Sequence, residues 1–394
     1  MNHKQILADV ERALFYNTHG GSVGASVLDK MRLGLVKLFV PEFDTRGVAA
    51  FTSLREAYVR FSGDEGITGM WSPQNTTKDL RACMDFTASS FAYAVQNALS
   101  MYLSKAYKAF PYREEILISE RKRAKDFRKI HSVQLGYFGD LPDVDPEAGD
   151  YEGLETIGDD EEAQYSLSPK GGILWITRRV ILNDSIDLVK ALTKRGARAA
   201  RLTHAKYVWN FYLNNETCPD ETGWFTSGHG NLGIDALDYG PLVTAITALA
   251  NMTEPGSGEK LGLDLQSFNW HLVVPIDLWD TGVKKNQGDS YFTSNDLTNK
   301  VPNPCRHLFG DRNDRIVVCP FSTDANDWGV IRDVEDVPIV EMSYLDGRED
   351  PEFILEEGPT EEHVFTADKI GYKIRHEYGG TLAGYRGGYK SIIT

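Results

Sequence analysis

Four groups of residues in this 394-residue chain have types and spacings that could carry chemistry. Gly228-x-Gly230-x-x-Gly233 matches the glycine fingerprint of dinucleotide sites. That fingerprint works only where a strand runs into it and a helix leaves it, so that backbone N–H groups meet a pyrophosphate. Here the segment before it, Cys218 to Ser227, reads as polar loop, and Ile234 to Gly240 behind it makes a poor first helical turn. Ser227 and His229 offer a nucleophile and a base, but no orienting acid or oxyanion loop accompanies them. A glycine-rich turn with an exposed histidine is the expectation. Cys305-x-His307 with Cys319 offers three zinc ligands at a spacing that fits no usual structural site. Two buried thiols and one surface histidine are expected instead. The fourth group, the basic run Arg121–Lys129, could touch phosphate, yet it sits beside a strongly acidic stretch. Neither a phosphate-binding P-loop nor an HExxH or EF-hand sequence occurs. The sequence therefore predicts no catalytic residue, no cofactor and no metal.

Charge points the same way. With 57 acidic against 42 basic side chains the formal net charge is −15, which repels nucleic acid and anionic lipid unless basic groups cluster. Hydrophobic residues make up 41% and charged residues 25%, the balance of a folded protein long enough for more than one core. Cys83, Cys218, Cys305 and Cys319 form no CxxC pair, and so few thiols suit a reducing compartment. The run Phe86 to Ser104 lacks charge over 19 residues, near bilayer length. Its serines, Gln96 and Asn97, with Phe91, Val95 and Tyr102 at helical spacing, predict an amphipathic helix packed in protein, so no membrane contact is expected.

The elements that would position these groups come in mixed order. Residues 1–79 read as an arm carrying two short amphipathic helices, Ile6-Val10-Leu14 and Val27-Met31-Leu35, which need a partner surface. A helix is expected near 86–110. Strand-like runs Ile130–Tyr137 and Gly172–Ile181 flank a segment, 136–168, with eleven Asp or Glu and no Lys, Arg or His. A projecting hairpin suits that segment better than a long structureless insert. The clearest helix runs from Asn183-Asp184-Ser185, which supplies N-cap residues, to about Leu213, stopped by Asn214-Asn215. Lys190, Lys194, Arg198 and Arg201 line one of its faces, and Gly196-Ala197 permits close packing. Pro241 can open a helix reaching Met252. Trp270–Val274, Ile316–Val318, Val337–Leu345, Phe353–Leu355 and Lys369–Glu377 read as strands, with a break at Gly379-Gly380. No βαβα alternation appears, so the fold class expected is α+β.

Several patches, in this order, resemble the major capsid proteins of tailed phages, in particular the Mu-like major head subunit group. They are Leu54-Arg55-Glu56-Ala57-Tyr58 with Gly63-Asp64, Asp126-Phe127-Arg128, and Gly136–Val144 with the acidic stretch behind it. Ile176–Asp184, Phe225–Leu232, Trp270–Leu278, Trp328–Val330 through Leu345-Asp346-Gly347 with Pro351, and Gly371–Lys390 complete the series. The resemblance implies a Johnson (Hong Kong 97-like) fold: N-terminal arm 1–79, peripheral domain 80–135, extended loop 136–171, spine helix and peripheral domain 172–228, axial domain 229–334, and a last peripheral piece 335–394. It implies a structural protein, not an enzyme, that self-assembles into pentamers and hexamers of an icosahedral head around double-stranded DNA, without sequence-specific contact. Scaffolding, portal and decoration proteins are the further partners it implies, with the virion capsid as location and the host cytoplasm as place of assembly. A nanocompartment shell enclosing cargo enzymes, and a nucleotide-dependent enzyme using the 228–233 loop, are the alternatives. Some shells of this fold cross-link a lysine of the extended loop; only Lys170, at its base, is near, so no cross-link is expected. The inter-subunit contacts expected pair Asp140, Asp143, Asp145, Glu147, Asp150 and Glu152 of one copy with Lys190, Lys194, Arg198 and Arg201 of another.

Overall fold

The computed structural model describes residues 27–43, 48–62, 88–133, 162–177, 183, 186–254, 258, 260–261, 269–292, 300–332, 337–355 and 369–393. The first arm helix and the acidic stretch 134–161 lie outside them. The chain forms two compact units, one from 1–111, 169–203 and 349–377, the other from 112–168, 204–348 and 378–394.

In the first unit, α1 (Val27–Phe39), α2 (Leu54–Ser62) and α3 (Ala88–Lys108) bury one apolar core. Leu35, Val36 and Phe39 of α1 meet Leu99 and Leu103 of α3 in that cluster, as their 3–4 spacing requires. A capping box starts α2: Ser53 Oγ accepts from the Glu56 N–H at 2.9 Å, and Glu56 reaches back to the Thr52 N–H at 3.0 Å. The long helix α4 (Ile186–Leu213) lends Val189 and Ala197 to this core. A Cβ on Gly196 would run into the Ile374 side chain, so the small-residue centre of α4 does serve close packing. Strands β12 (Glu352–Leu355) and β13 (Lys369–Leu382) pair antiparallel here, from Glu352↔Arg375 to Leu355↔Tyr372.

In the second unit, β1 (Ile118–Ala124) runs parallel to β11 (Val340–Leu345), which pairs antiparallel with the Tyr378–Leu382 end of β13. A five-stranded sheet follows the order β5-β14-β10-β6-β9, made of Leu232–Gly233, Gly388–Ser391, Trp328–Ile331, His271–Val274 and Ile316–Val318. Helices α5 (Tyr239–Ala250) and α6 (Trp279–Gln287) belong to this unit, as does the small hairpin of β7 (Ser290–Phe292) and β8 (Lys300–Pro302). The mixture of helix and strand is α+β, as expected.

Three expectations need correcting. The strand pairing with β2 (Ile130–Val133) is not Gly172–Ile181 but β3 (Glu162–Tyr165), in register Ile130↔Tyr165 and Val133↔Glu162. The predicted second strand is β4 (Ser168–Thr177), which pairs with β13, its Ile176 buried among the helices of the first unit. Gly379-Gly380 is not a break, because β13 runs straight through it. Both glycines give neighbouring backbone room, Gly379 at Ser166 and Gly380 at Glu341, where any Cβ would collide. The last strand of the Val337–Leu345 run starts only at Val340.

Candidate functional site

The glycine loop is structural. Gly228 and Gly230 lie in turns, Gly233 ends the two-residue strand β5, and the next helix, α5, begins only at Tyr239. No helix N-terminus therefore follows the loop directly to present N–H groups with it to a pyrophosphate. Buried Asn231 pins it instead: Nδ2 donates to the carbonyls of Trp224 at 2.8 Å and Gly388 at 3.2 Å, and Oδ1 accepts from the Thr226 N–H at 3.0 Å.

His229 departs from expectation. Its side chain is only 9% exposed. One ring nitrogen meets the Trp224 carbonyl at 3.1 Å, the other meets Asp220 Oδ2 at 2.5 Å and the Thr222 hydroxyl at 2.9 Å. The ring also stacks on Tyr385 at 3.7 Å. Burial works to raise the Asp220 carboxyl, but bonds from Thr222 and His229 outweigh it and hold the carboxyl below its ordinary value. A run of loop this rich in aromatic neighbours covers the ring that the sequence left open to solvent. Both ring nitrogens are engaged away from Ser227, so the pair is not a nucleophile and its base.

The thiols also behave as packing. Cys305 and Cys319 are buried, and burial pushes the Cys305 thiol up to about 11. His307 is exposed and pairs with Asp311 at 3.5 Å. Among the described residues no cluster of three or more His, Cys, Asp or Glu is arranged to hold a metal ion. No described helix is long and apolar enough to cross a membrane.

The basic stripe on α4 divides into two kinds of residue. Lys194 and Arg198 are exposed, although the Arg198 guanidinium lies 6.0 Å from the Phe110 ring. Lys190 is half-buried over Phe39. Arg201 is buried; its Nε donates to the Phe110 carbonyl at 3.2 Å and its guanidinium lies 5.3 Å from the Tyr107 ring. Asp140, Asp143, Asp145, Glu147, Asp150 and Glu152 lie outside the described residues. Lys170 sits half-buried in β4.

A densely bonded polar site lies where that acidic stretch leaves and rejoins the described strands. Val133 ends β2 and Glu162 begins β3, and the two are paired, so residues 134–161 start and finish at one point. Below it, Glu341 of β11 is 1% exposed. Its Oε2 accepts from Ser132 Oγ on β2 at 2.6 Å and Lys122 Nζ on β1 at 2.7 Å. Its Oε1 accepts from the Tyr165 hydroxyl on β3 at 2.5 Å. Ser343, two residues along the same strand face, lies 2.6 Å from that hydroxyl. Burial alone would raise the Glu341 carboxyl; Lys122, Ser132 and Tyr165 overcome it and hold the carboxyl below its usual value. Thus one carboxylate ties three strands together at the hairpin root. The sequence offered a signal for it, a lone acid inside the otherwise uncharged run Val337–Leu345, and the reading of that run as a plain strand missed it.

Residues 160–391, more than half of the chain, match the model of a family described as phage capsid protein. The chain belongs to that family. The matched span begins beside β3 and contains helix α4, the sheet β5-β14-β10-β6-β9 and Glu341 of β11. This capsid protein is similar in structure to a virus-like particle from Pyrococcus furiosus, at 9% identity and TM-score 0.43, covering 75% of this chain and 97% of that one. It is also similar to the procapsid of bacteriophage JBD30, at 13% identity and TM-score 0.39, covering 81% and 77%. A third is the holo-SrpI encapsulin complex from Synechococcus elongatus, at 9% identity and TM-score 0.38, covering 72% and 87%. No curated protein matches the chain. As a major capsid protein it has a structural role: copies of it build the shell of a virion.

Proposed function

We propose that this capsid protein forms pentamers and hexamers of an icosahedral head around double-stranded DNA. In this reading the fold is the Johnson arrangement: arm 1–79, peripheral domain 80–135, extended loop 136–171, spine and peripheral domain 172–228, axial domain 229–334, and the closing piece 335–394. The protein works without enzymatic activity, cofactor or metal, and assembles in the host cytoplasm with scaffolding, portal and decoration proteins as partners. The observation that carries the reading is the hairpin root. A buried carboxylate with three donors is costly to build, and here it fixes the point at which residues 134–161, with ten acids, leave and rejoin the strands. That segment suits a second copy's basic face, with Lys194 and Arg198 as the solvent-facing members of the α4 stripe and Lys190 beside them. Each exposed pair contributes about 0–1 kcal/mol, so repetition around a capsomer supplies the strength.

Co-expression with packaging and scaffolding partners, followed by electron microscopy, tests this. Closed icosahedral particles holding DNA are expected. A chain that stays monomeric in every such co-expression, or particles that hold only protein cargo, would overturn it.

A further inference from the structure

Strand β14 buries an amine. The side chain of Lys390 is only 6% exposed, and the residue stands opposite Gly329 of β10 in the antiparallel register. Residues two apart along a strand share a face. Asp327, two before Gly329, is therefore the diagonal neighbour of Lys390, within reach of a long side chain. A Cβ on Gly329 would strike the Tyr212 hydroxyl, so glycine there lets the Tyr212 ring lie close over this face. The Lys390 ammonium sits 5.0 Å from the centre of that ring.

An ammonium has three protons to donate, and burying one is costly unless it is paired and hydrogen-bonded. Among the described residues the one ion pair of Lys390 is with Asp327 Oδ2, at 3.8 Å, which is too long for a hydrogen bond. Its buried polar neighbours add no counter-charge. Burial pushes the Cys319 thiol and the Tyr212 hydroxyl above their ordinary values, so both stay neutral. Burial also holds the Lys390 ammonium below its ordinary value, although the charges of Asp327 and Asp324 oppose the shift. Loss of charge at Nζ is what this place favours.

The carboxyl across from it is held on both sides. Asp327 Oδ1 accepts from the Ile393 N–H at 3.0 Å, and the Asp327 N–H donates to Asp324 Oδ1 at 3.2 Å. A backbone N–H on Oδ1 can hold the negative charge that grows there when Cγ is attacked. An amine and a carboxyl fixed side by side react as parts of one molecule. We propose that Lys390 and Asp327 condense to an amide that ties β14 to β10 within one copy of the chain. Two of the three ammonium protons pass to Oδ2, Nζ bonds to Cγ, and Oδ2 leaves as water. The two charges cancel, and no oxidant, reductant or co-reactant enters. Such a tie keeps β10 and β14 together when the hydrogen bonds between them open locally. The bond uses no residue of the segment 136–171 and does not rest on the shell-building reading.

The test is a tryptic peptide map of the denatured full-length chain, read by mass spectrometry. The peptide containing Lys390 should appear joined to the peptide containing Asp327, one water lighter than the two together, with no cleavage after Lys390. Separate peptides at their full sequence masses, with cleavage after Lys390, overturn the bond. A lost water that hydroxylamine restores is a succinimide within the Asp327 peptide alone, which also overturns it. Lys390→Arg keeps the positive charge and removes the amine, so this variant should return the Asp327 peptide to its full mass. A variant peptide still lighter by one water places the loss elsewhere and refutes the assignment to Lys390.

Discussion

Replacing Glu341 by glutamine keeps the shape of the side chain and removes its charge. The carboxylate takes hydrogen bonds from Ser132, Lys122 and Tyr165, and a glutamine can accept at one end only. Its NH₂ then faces a hydroxyl that had donated to the carboxylate, whichever way it turns. Hydrogen bonds to charged groups contribute about 1.5–3 kcal/mol each, and they do not add when they share one acceptor. Lys122 is 46% exposed, so its share is screened by water and should be discounted. The hydroxyls of Ser132 and Tyr165 are buried and dominate. The one facing the amide loses its charged acceptor and the other keeps a neutral one, together about 3 kcal/mol, or a fall in Tm of about 6–12 °C at 2–4 °C per kcal/mol for a domain of this size. The effect should also depend on pH in one direction. The Glu341 carboxyl titrates below its ordinary range in the folded chain, so its stabilisation is complete above the unfolded value, about 4.3, and fades as pH falls through the lower folded value. The gap in Tm between wild type and Glu341→Gln should thus be widest near pH 7 and narrow as acid is added. Calorimetry from pH 7 down to the acid limit of folding reads it. A variant that melts with wild type at pH 7, or a gap that does not narrow in acid, would refute the clamp. Shell yield measured beside it should fall, because the root of the acidic arm is no longer held.

The α4 stripe should separate by burial: Arg201→Ala should cost the free subunit about 1–3 kcal/mol by urea unfolding, through its lost bond to Phe110. Lys194→Glu with Arg198→Glu should leave that stability within about 0.5 kcal/mol yet reduce assembly, more visibly at low salt than at high, since screening acts over roughly 10 Å at 0.1 M. In the glycine loop, Ser227→Ala should be silent by both melting and shell yield. His229→Ala should lower unfolding free energy by about 1–3 kcal/mol without removing any hydrolase activity, because its ring serves Asp220 and Tyr385. Gly196→Val should overpack the α4 contact with Ile374 and cost about 1–3 kcal/mol in a thermal melt.

Periodic, capped elements were legible from residues alone. The helix stopped by Asn214-Asn215 ends at Leu213, and Asn215 adopts a left-handed φ of 52° while its side-chain amide holds Phe225. Ile316–Val318 is a buried strand as its β-branched run requires. What failed was what depends on distant partners. Strand identity at the hairpin root turned on Tyr165 reaching a carboxylate 176 positions away, which no local pattern encodes. Gly379-Gly380 reads as a turn in one dimension and is a site of close strand approach in three. The burial of Arg201 and His229 had the same cause: Tyr107, Phe110 and Tyr385, which cover them, lie far away in sequence. The exposure of Ile234 and Trp279 was equally invisible, since apolar residues beside strands read as core.

Copies of this shell subunit are proposed to hold one another through the arm rooted at Glu341. Electron cryo-microscopy of particles from co-expression with partner proteins tests it most directly. Closed icosahedral shells are expected, in which residues 134–161 of each copy lie against the Lys194–Arg198 face of a neighbour. Shells in which that segment packs only on its own copy, or a chain that never leaves the monomer, would contradict it.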